Sequence, residues 1–326
     1  MGGGVIVDGH NDLVGRLWGK DDVRHVHLDR AAEADFAGGF FALFIPSPKP
    51  GKPPESEHYA IPLPDPVPQE EAARIADEMY EVFRSLPVTL ATSPDDFRPG
   101  RVAAILHLEG AEPLATDLSN LEDWYERGLR SLGFTWSRAN AFASGVPFHF
   151  PSTGDIGPGL SAAGEELVRR CNELGILIDL SHLNEAGFWD VARLSAAPLV
   201  ATHSNVNALC ASSRNLTDAQ LDAIGSSHGV VGINFAVSFL REDGHNDADT
   251  PLAEIVRHAA YIAERIGVDH VAFGSDFDGA LVSAELDGIA GFPRLVDEFR
   301  AAGWDDEAVA KLTHRNWLRV FGEIWR

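Results

Sequence analysis

The sequence predicts an α/β chain of the (β/α)8 TIM-barrel class. Three observations lead there: eight short apolar runs recur along the 326 residues, stretches of helical period separate them, and ligand-type side chains follow several of the runs. Near-continuous apolar strands alternating with helices indicate a parallel sheet covered by helices, and eight such units suit closure into a barrel better than an open sheet. Barrels of this class commonly reach this length as one unit, so residues 1–326 are read as a single domain.

The predicted strands are 5–8, 39–45, 102–108, 132–135, 176–180, 199–202, 230–234 and 271–274. Between them Ile75, Met79, Val82 and Leu86 form a helical stripe. Leu167, Cys171 and Leu174 form another behind the N-cap candidate Ser161. Two long loops interrupt the pattern, the proline-rich 46–68 after the second strand and the polar 237–251 after the seventh. Loops that follow barrel strands lie on the face where such barrels carry function, so these two are placed to roof a site.

Composition narrows the function classes. Acidic residues outnumber basic ones by 49 to 26, a net charge of -23, and this field repels phosphate backbones and anionic lipid. No nucleic-acid or membrane partner is expected. No stretch approaches the roughly 20 apolar residues that span a bilayer, and the opening MGGGVIVDGHND lacks the pattern of an export signal. Cys171 and Cys210 are too few for a disulfide framework, and a reducing cytoplasm is the expected compartment. A homodimer is compatible with these data but not specified by them.

The chemistry gathers after different strands. His10 and Asp12 follow the first, Glu109 the third, His182 the fifth, His203 the sixth and Asp276 the eighth. Strand side chains alternate faces, so His10 and Asp12, two residues apart, can point toward one metal ion. Imidazole with carboxylate suits zinc, and a carboxylate such as Glu109 has two oxygens with which to bridge two ions, with His182 and His203 completing the second. His107, deeper in its strand, is read as barrel packing. Competing motifs fail on context. Ser227 lies in a G-x-S-x-G match at 225–229, but a helix precedes it and a strand follows, the reverse of a nucleophile elbow. No H-E-x-x-H or phosphate loop is present, and none of Lys20, Lys49, Lys52 and Lys311 ends a predicted strand.

Seven segments resemble the membrane or renal dipeptidases and their bacterial relatives among the amidohydrolase-like barrels. They are VDGHNDL at 7–13, HLEGAEPL at 107–114, GLSAAGEELVRRCNELGILIDLSH at 159–182, ATHSN at 201–205, SSRNLTD at 212–218, GSDFDG at 274–279 and NWLRVF at 316–321. The resemblance implies two zinc ions per chain, His10 and Asp12 on one, His182 and His203 on the other, and Glu109 between them. It also implies that Arg214 grips a substrate carboxylate, and that Asp276 holds a metal-bridging hydroxide and passes its proton to the leaving amine. The expected activity is hydrolysis of dipeptides, including L-Xaa-D-Xaa. One position departs from the pattern: Trp136 stands where many relatives carry a histidine that polarises the scissile carbonyl, and its indole N–H offers one neutral hydrogen bond in place of that imidazole. A metal-dependent hydrolase of another amide or a lactone, or a non-catalytic binding barrel, are the rival readings.

Overall fold

The computed structural model describes residues 5–47 and 58–326; the part of the first long loop at 48–57 lies outside them. Eight parallel strands run in sequence order around the sheet: β1 (Ile6–Asn11), β2 (Phe36–Phe44), β3 (Ala103–Glu109), β4 (Leu129–Gly133), β5 (Leu177–Asp179), β6 (Val200–Ala201), β7 (Val230–Ile233) and β8 (Val271–Phe273). Beyond β8 the chain returns to β1. Asn11 bridges Phe277, the Asp12 N–H donates to the Phe277 carbonyl at 2.8 Å and the Asp276 N–H to the His10 carbonyl at 3.1 Å. The edges are thereby joined into a nearly closed TIM barrel, with helices outside it.

Each strand begins or ends within a few residues of its expected place, and the differences are informative. β4 spans Leu129–Gly133 instead of 132–135, because the chain leaves the sheet at Phe134. On the helix Gln69–Ser85 the buried face is Ala72, Ile75, Ala76, Met79 and Phe83; Val82 and Leu86 are only half-buried. The helix Ala162–Leu174 does start at Ser161, whose hydroxyl accepts the Gly164 N–H at 3.1 Å, and Cys171 is buried on it.

β1 carries an irregularity that strict alternation does not foresee. Asp8 pairs with Gly39 and Asn11 with Phe41, so Gly9 and His10 together oppose Phe40, a β-bulge. Val7 belongs to the inner core at the barrel floor, and regular alternation would turn His10, three residues on, outward. The bulge resets the phase, and His10 faces the interior. Gly9 fills that bulge because nothing larger fits: a methyl there would overlap the Thr202 carbonyl and stand 2.7 Å from the Trp317 ring.

The barrel floor is sealed by the helix Asn316–Ile324. Its Trp317, Val320, Phe321 and Ile324 pack against Val7, Phe40, Ile105, Leu177, Val200, Val230 and Ala272, one or more residues from most of the strands. Trp317 is fully buried and its indole N–H donates to the Phe273 carbonyl at 3.0 Å.

On the opposite face the loops are tied together. Tyr59–Ala60 pairs antiparallel with His149–Phe150, joining the described end of the 46–68 loop to the long 134–161 segment after β4, which the sequence reading did not single out. The 237–251 segment is not wholly a polar loop: Val237–Leu240 is a short helix with Val237, Phe239 and Leu240 buried. The buried pair Arg138 and Glu112, 3.1 Å apart, fastens the same region, since Arg138 also donates to the Ile45 carbonyl at 2.8 Å. Among the described residues no helix is long and apolar enough to cross a membrane.

Replacing Trp317 by alanine empties the floor of the barrel and removes the bond to Phe273. We expect a loss of about 3–5 kcal/mol, read as a lowered denaturant midpoint.

Candidate metal centre

His10 sits in the β1 bulge, Asp12 just past that strand and Glu109 at the last position of β3. His182, His203 and Asp276 occupy the turns just beyond β5, β6 and β8. Two of these turns are strained. His182 has φ 67° and Asp276 φ 59°, the left-handed region, which non-glycine residues occupy at a cost of order 1–3 kcal/mol. Hydrogen bonds hold both. The His182 carbonyl receives the Val146 N–H at 2.8 Å and the Thr135 hydroxyl at 3.2 Å; the Asp276 carbonyl receives the N–H groups of Gly279 and Ala280.

The side chains converge on Glu109. Its Oε2 lies 3.6 Å from His10 Nε2, which is 3.4 Å from Asp12 Oδ2. Its Oε1 lies 3.2 Å from His182 Nε2 and 3.7 Å from His203 Nε2. One carboxylate thus divides its two oxygens between two donor sets. His10, Asp12 and Asp276 place their donor atoms within 4.8 Å of one another, and so do His10, Glu109 and His203, so His203 borders both halves.

These residues fit metal ions on their own geometry. Both ring nitrogens of fully buried His10 lack a hydrogen-bond partner among the described residues, a costly state for an imidazole that has no ligand. His182 Nε2 and His203 Nε2 stand 3.0 Å apart. Burial pushes both imidazoles well below the usual histidine range, with Arg214 first among the nearby charges opposing protonation of His182 and His10 first for His203. Two neutral imidazoles facing each other through the same nitrogens, beside a carboxylate, are the donor set of a borderline-soft cation such as zinc.

The other half is rich in negative charge. Burial, with the nearby Asp12, Asp276 and Asp179 carboxylates, holds Glu109 well above the usual carboxylate range. Burial likewise pushes Asp276 up to about 6. For His10 burial acts downward, but Glu109, Asp12 and Asp276 outweigh it and raise the imidazole to about 10. In all three cases the protein asks for positive charge among these groups.

Arg214 and Trp136 border this cluster. Arg214 is 3% exposed; its Nη2 donates to the His203 carbonyl at 3.3 Å, and its Nε has no hydrogen-bond partner among the described residues. Burial lowers it to about 10 against the pull of Asp276 and Glu109. Trp136 is half-buried, its ring 6.0 Å from His182, 5.0 Å from Phe44 and 5.5 Å from Phe148. Phe148 stacks on Phe239 at 6.3 Å, and Phe239 lies beneath the Arg214 guanidinium at 5.5 Å. An aromatic wall therefore runs from the histidines to the arginine.

Several residues here escaped the sequence reading. Asn234 donates to Asp276 Oδ2 at 2.8 Å, Ser137 meets His182 Nδ1 at 2.8 Å, and Phe148 and Phe239 build the wall. Only their position after β4 and β7 could have marked them. His107 is wholly buried against Ser131, with Nδ1 to Oγ 2.9 Å, as packing predicts. Ser227 ends the helix Asp218–Ser226, its hydroxyl on the Ile224 carbonyl, with no role in the cluster.

Known proteins share this arrangement of sequence and fold. The profile of the membrane dipeptidase family, peptidase family M19, matches residues 3–325. A Klebsiella pneumoniae protein from the pqqA 5′ region is 51% identical over 225 residues, covering 69% of this chain and 83% of that one. The dipeptidase verJ of Clonostachys rogersoniana is 28% identical over 98% of this chain and 84% of its own. Among solved structures, a metallo peptidase from Rhodobacter sphaeroides, liganded with a phosphinate mimic of the dipeptide L-Ala-D-Ala, superposes with a TM-score of 0.93 at 42% identity, covering 99% of both chains.

Gly279 supplies a test of the cluster that changes none of the donor residues. A methyl on it would overlap Asp12 Oδ2 and stand 2.6 Å from Asp276 Oδ1. Gly279→Ala is expected to lower the metal content of the purified protein while its folded circular dichroism is kept.

Proposed function

Given that the chain belongs to the membrane dipeptidase family, we propose that it is a binuclear zinc dipeptidase whose substrates include L-Xaa-D-Xaa dipeptides. The observation that carries this reading is the division of Glu109 between two donor sets, Oε2 toward His10 and Asp12 and Oε1 toward His182 and His203. Two zinc ions there supply Lewis acidity, polarising a carbonyl and drawing the pKa of water toward about 7.

The protein's own groups do the rest. Asp276 is half-buried at the opening of the cluster, with Oδ2 held by Asn234. In this role it accepts the proton of the attacking water and returns it to the departing amine. Arg214 binds the free carboxylate of the dipeptide. A buried guanidinium with an unpartnered Nε gains more from an anion than a solvated one would, and its fork matches a carboxylate. Trp136, Phe148 and Phe239 line the path between, so the substrate lies along an apolar wall with a charge at its far end. That anchor selects short peptides, since a longer one would carry further residues into the guanidinium. The dipeptide mimic bound by the Rhodobacter sphaeroides relative supports the size and the stereochemistry.

A panel of dipeptides of varied stereochemistry, N-acyl amino acids and lactones, assayed with zinc, tests the substrate class. Turnover of dipeptides is expected; turnover of lactones alone would replace the dipeptide reading and keep the metal one. Arg214→Met should lower kcat/KM by about 100-fold, chiefly through KM. Asp276→Asn should lower kcat by about 100-fold or more with KM little changed.

A further inference from the structure

The two halves of the cluster are unequal in charge. The His10 half has Asp12 and Asp276 at hand besides its share of Glu109. The half formed by His182 and His203 has no carboxylate of its own except that shared oxygen, and the Arg214 guanidinium lies beside it. A dication bound there needs negative charge from elsewhere.

Behind His203 stands a continuous buried chain of hydrogen bonds. His203 Nδ1 is 2.8 Å from Thr202 Oγ1, and Thr202 Oγ1 is 2.6 Å from Asp179 Oδ2. Asp179 Oδ1 accepts two backbone N–H groups, from Ser181 at 2.9 Å and Thr202 at 2.8 Å. Asp179, Thr202 and His203 are each no more than 1% exposed, so solvent does not compete.

Proton counting fixes the direction of the chain. Every hydrogen bond to Asp179 among the described residues comes from a donor, with the His107 Nε2 at 3.7 Å beyond bonding distance, and the 2.6 Å contact uses the one hydroxyl proton of Thr202. Thr202 has no second proton to give, so it accepts from His203, whose Nδ1 carries the hydrogen. His203 Nε2 is then left with its lone pair toward Glu109 and His182. His182 has a weaker arrangement, since Ser137 meets its Nδ1 at 2.8 Å and, among the described residues, no carboxylate accepts from that hydroxyl.

We propose that Asp179, acting through Thr202, is the positioning carboxylate of the second metal position: it locks His203 in the Nδ1–H tautomer, whose Nε2 lone pair is free for the ion, and lends that position the negative charge its own ligands lack. The inference rests on the two-ion reading above. It concerns residues that touch neither the ion nor the substrate, and the sequence offered no reason to select either.

The test is calorimetric titration of chelator-stripped protein with Zn2+, with the metal content per chain counted independently. Two binding steps are expected for the wild type. Thr202→Val keeps the shape of the side chain and breaks the chain of bonds; it should weaken one step by about 10–100-fold and leave the other within about twofold. Thr202→Ser should restore the weakened step. Should Thr202→Val fold poorly, 15N-histidine spectra of the metal-free wild type decide, since His203 must show its proton on Nδ1. The proposal is overturned if Thr202→Val binds both ions as the wild type does, if both steps weaken alike, or if His203 is protonated on Nε2. A wild type that never takes a second ion would overturn the two-ion reading itself, and this proposal with it.

Discussion

A single buried carboxylate organises the site. Glu109 ends β3 with its two oxygens turned to different partners, His10 on one side and His182 and His203 on the other. Such a group is costly to leave ionised in a protein interior, and the pull on its pKa is upward. The cost is acceptable only where cations complete the arrangement. The β1 bulge, the left-handed turns at His182 and Asp276, and the glycine at 279 are local departures from regular structure that bring donors toward this carboxylate from three other strands.

The barrel makes that convergence possible and its floor makes it rigid. Trp317 reaches up from the C-terminal helix to the level of Gly9, so the bulge that turns His10 inward is packed from below. A site built on strand ends is held by the sheet, whereas the aromatic wall is carried by loops, Phe148 on the segment after β4 and Phe239 on the one after β7. Metal chemistry thus sits on the stiff part of the fold. The aromatic wall sits on the connecting segments, outside the sheet.

Much of this was legible in the letters. Eight apolar runs and their helical spacers marked the barrel, because a parallel sheet buried on both faces demands continuous apolar strands. His10, Asp12, Glu109, His182, His203 and Asp276 were legible because barrel sites are built where strands end, and a strand end can be located to within a few residues. The segment after β4 was missed since it carries no proline run or charge cluster to flag it, and Leu132 marked the strand late because Arg130 and Ser131 interrupt the apolar residues of Leu129–Gly133. Val82 and Leu86 fall short of full burial because Val82 lies at the edge of the face formed by Ala72, Ile75, Ala76, Met79 and Phe83, and Leu86 follows the end of the helix.

What the sequence determined by itself is the inventory and its order: which strands exist, which donors follow them, and that they meet at one end of a barrel. Those follow from local periodicity and from the geometry common to all such barrels. Only the tertiary structure decided the phase of β1, the left-handed turns, the division of Glu109's oxygens, and the path from His203 through Thr202 to Asp179. Each of these depends on contacts between residues distant in the chain, where an error of one position in a strand reverses the face a side chain presents, and no local pattern carries that information.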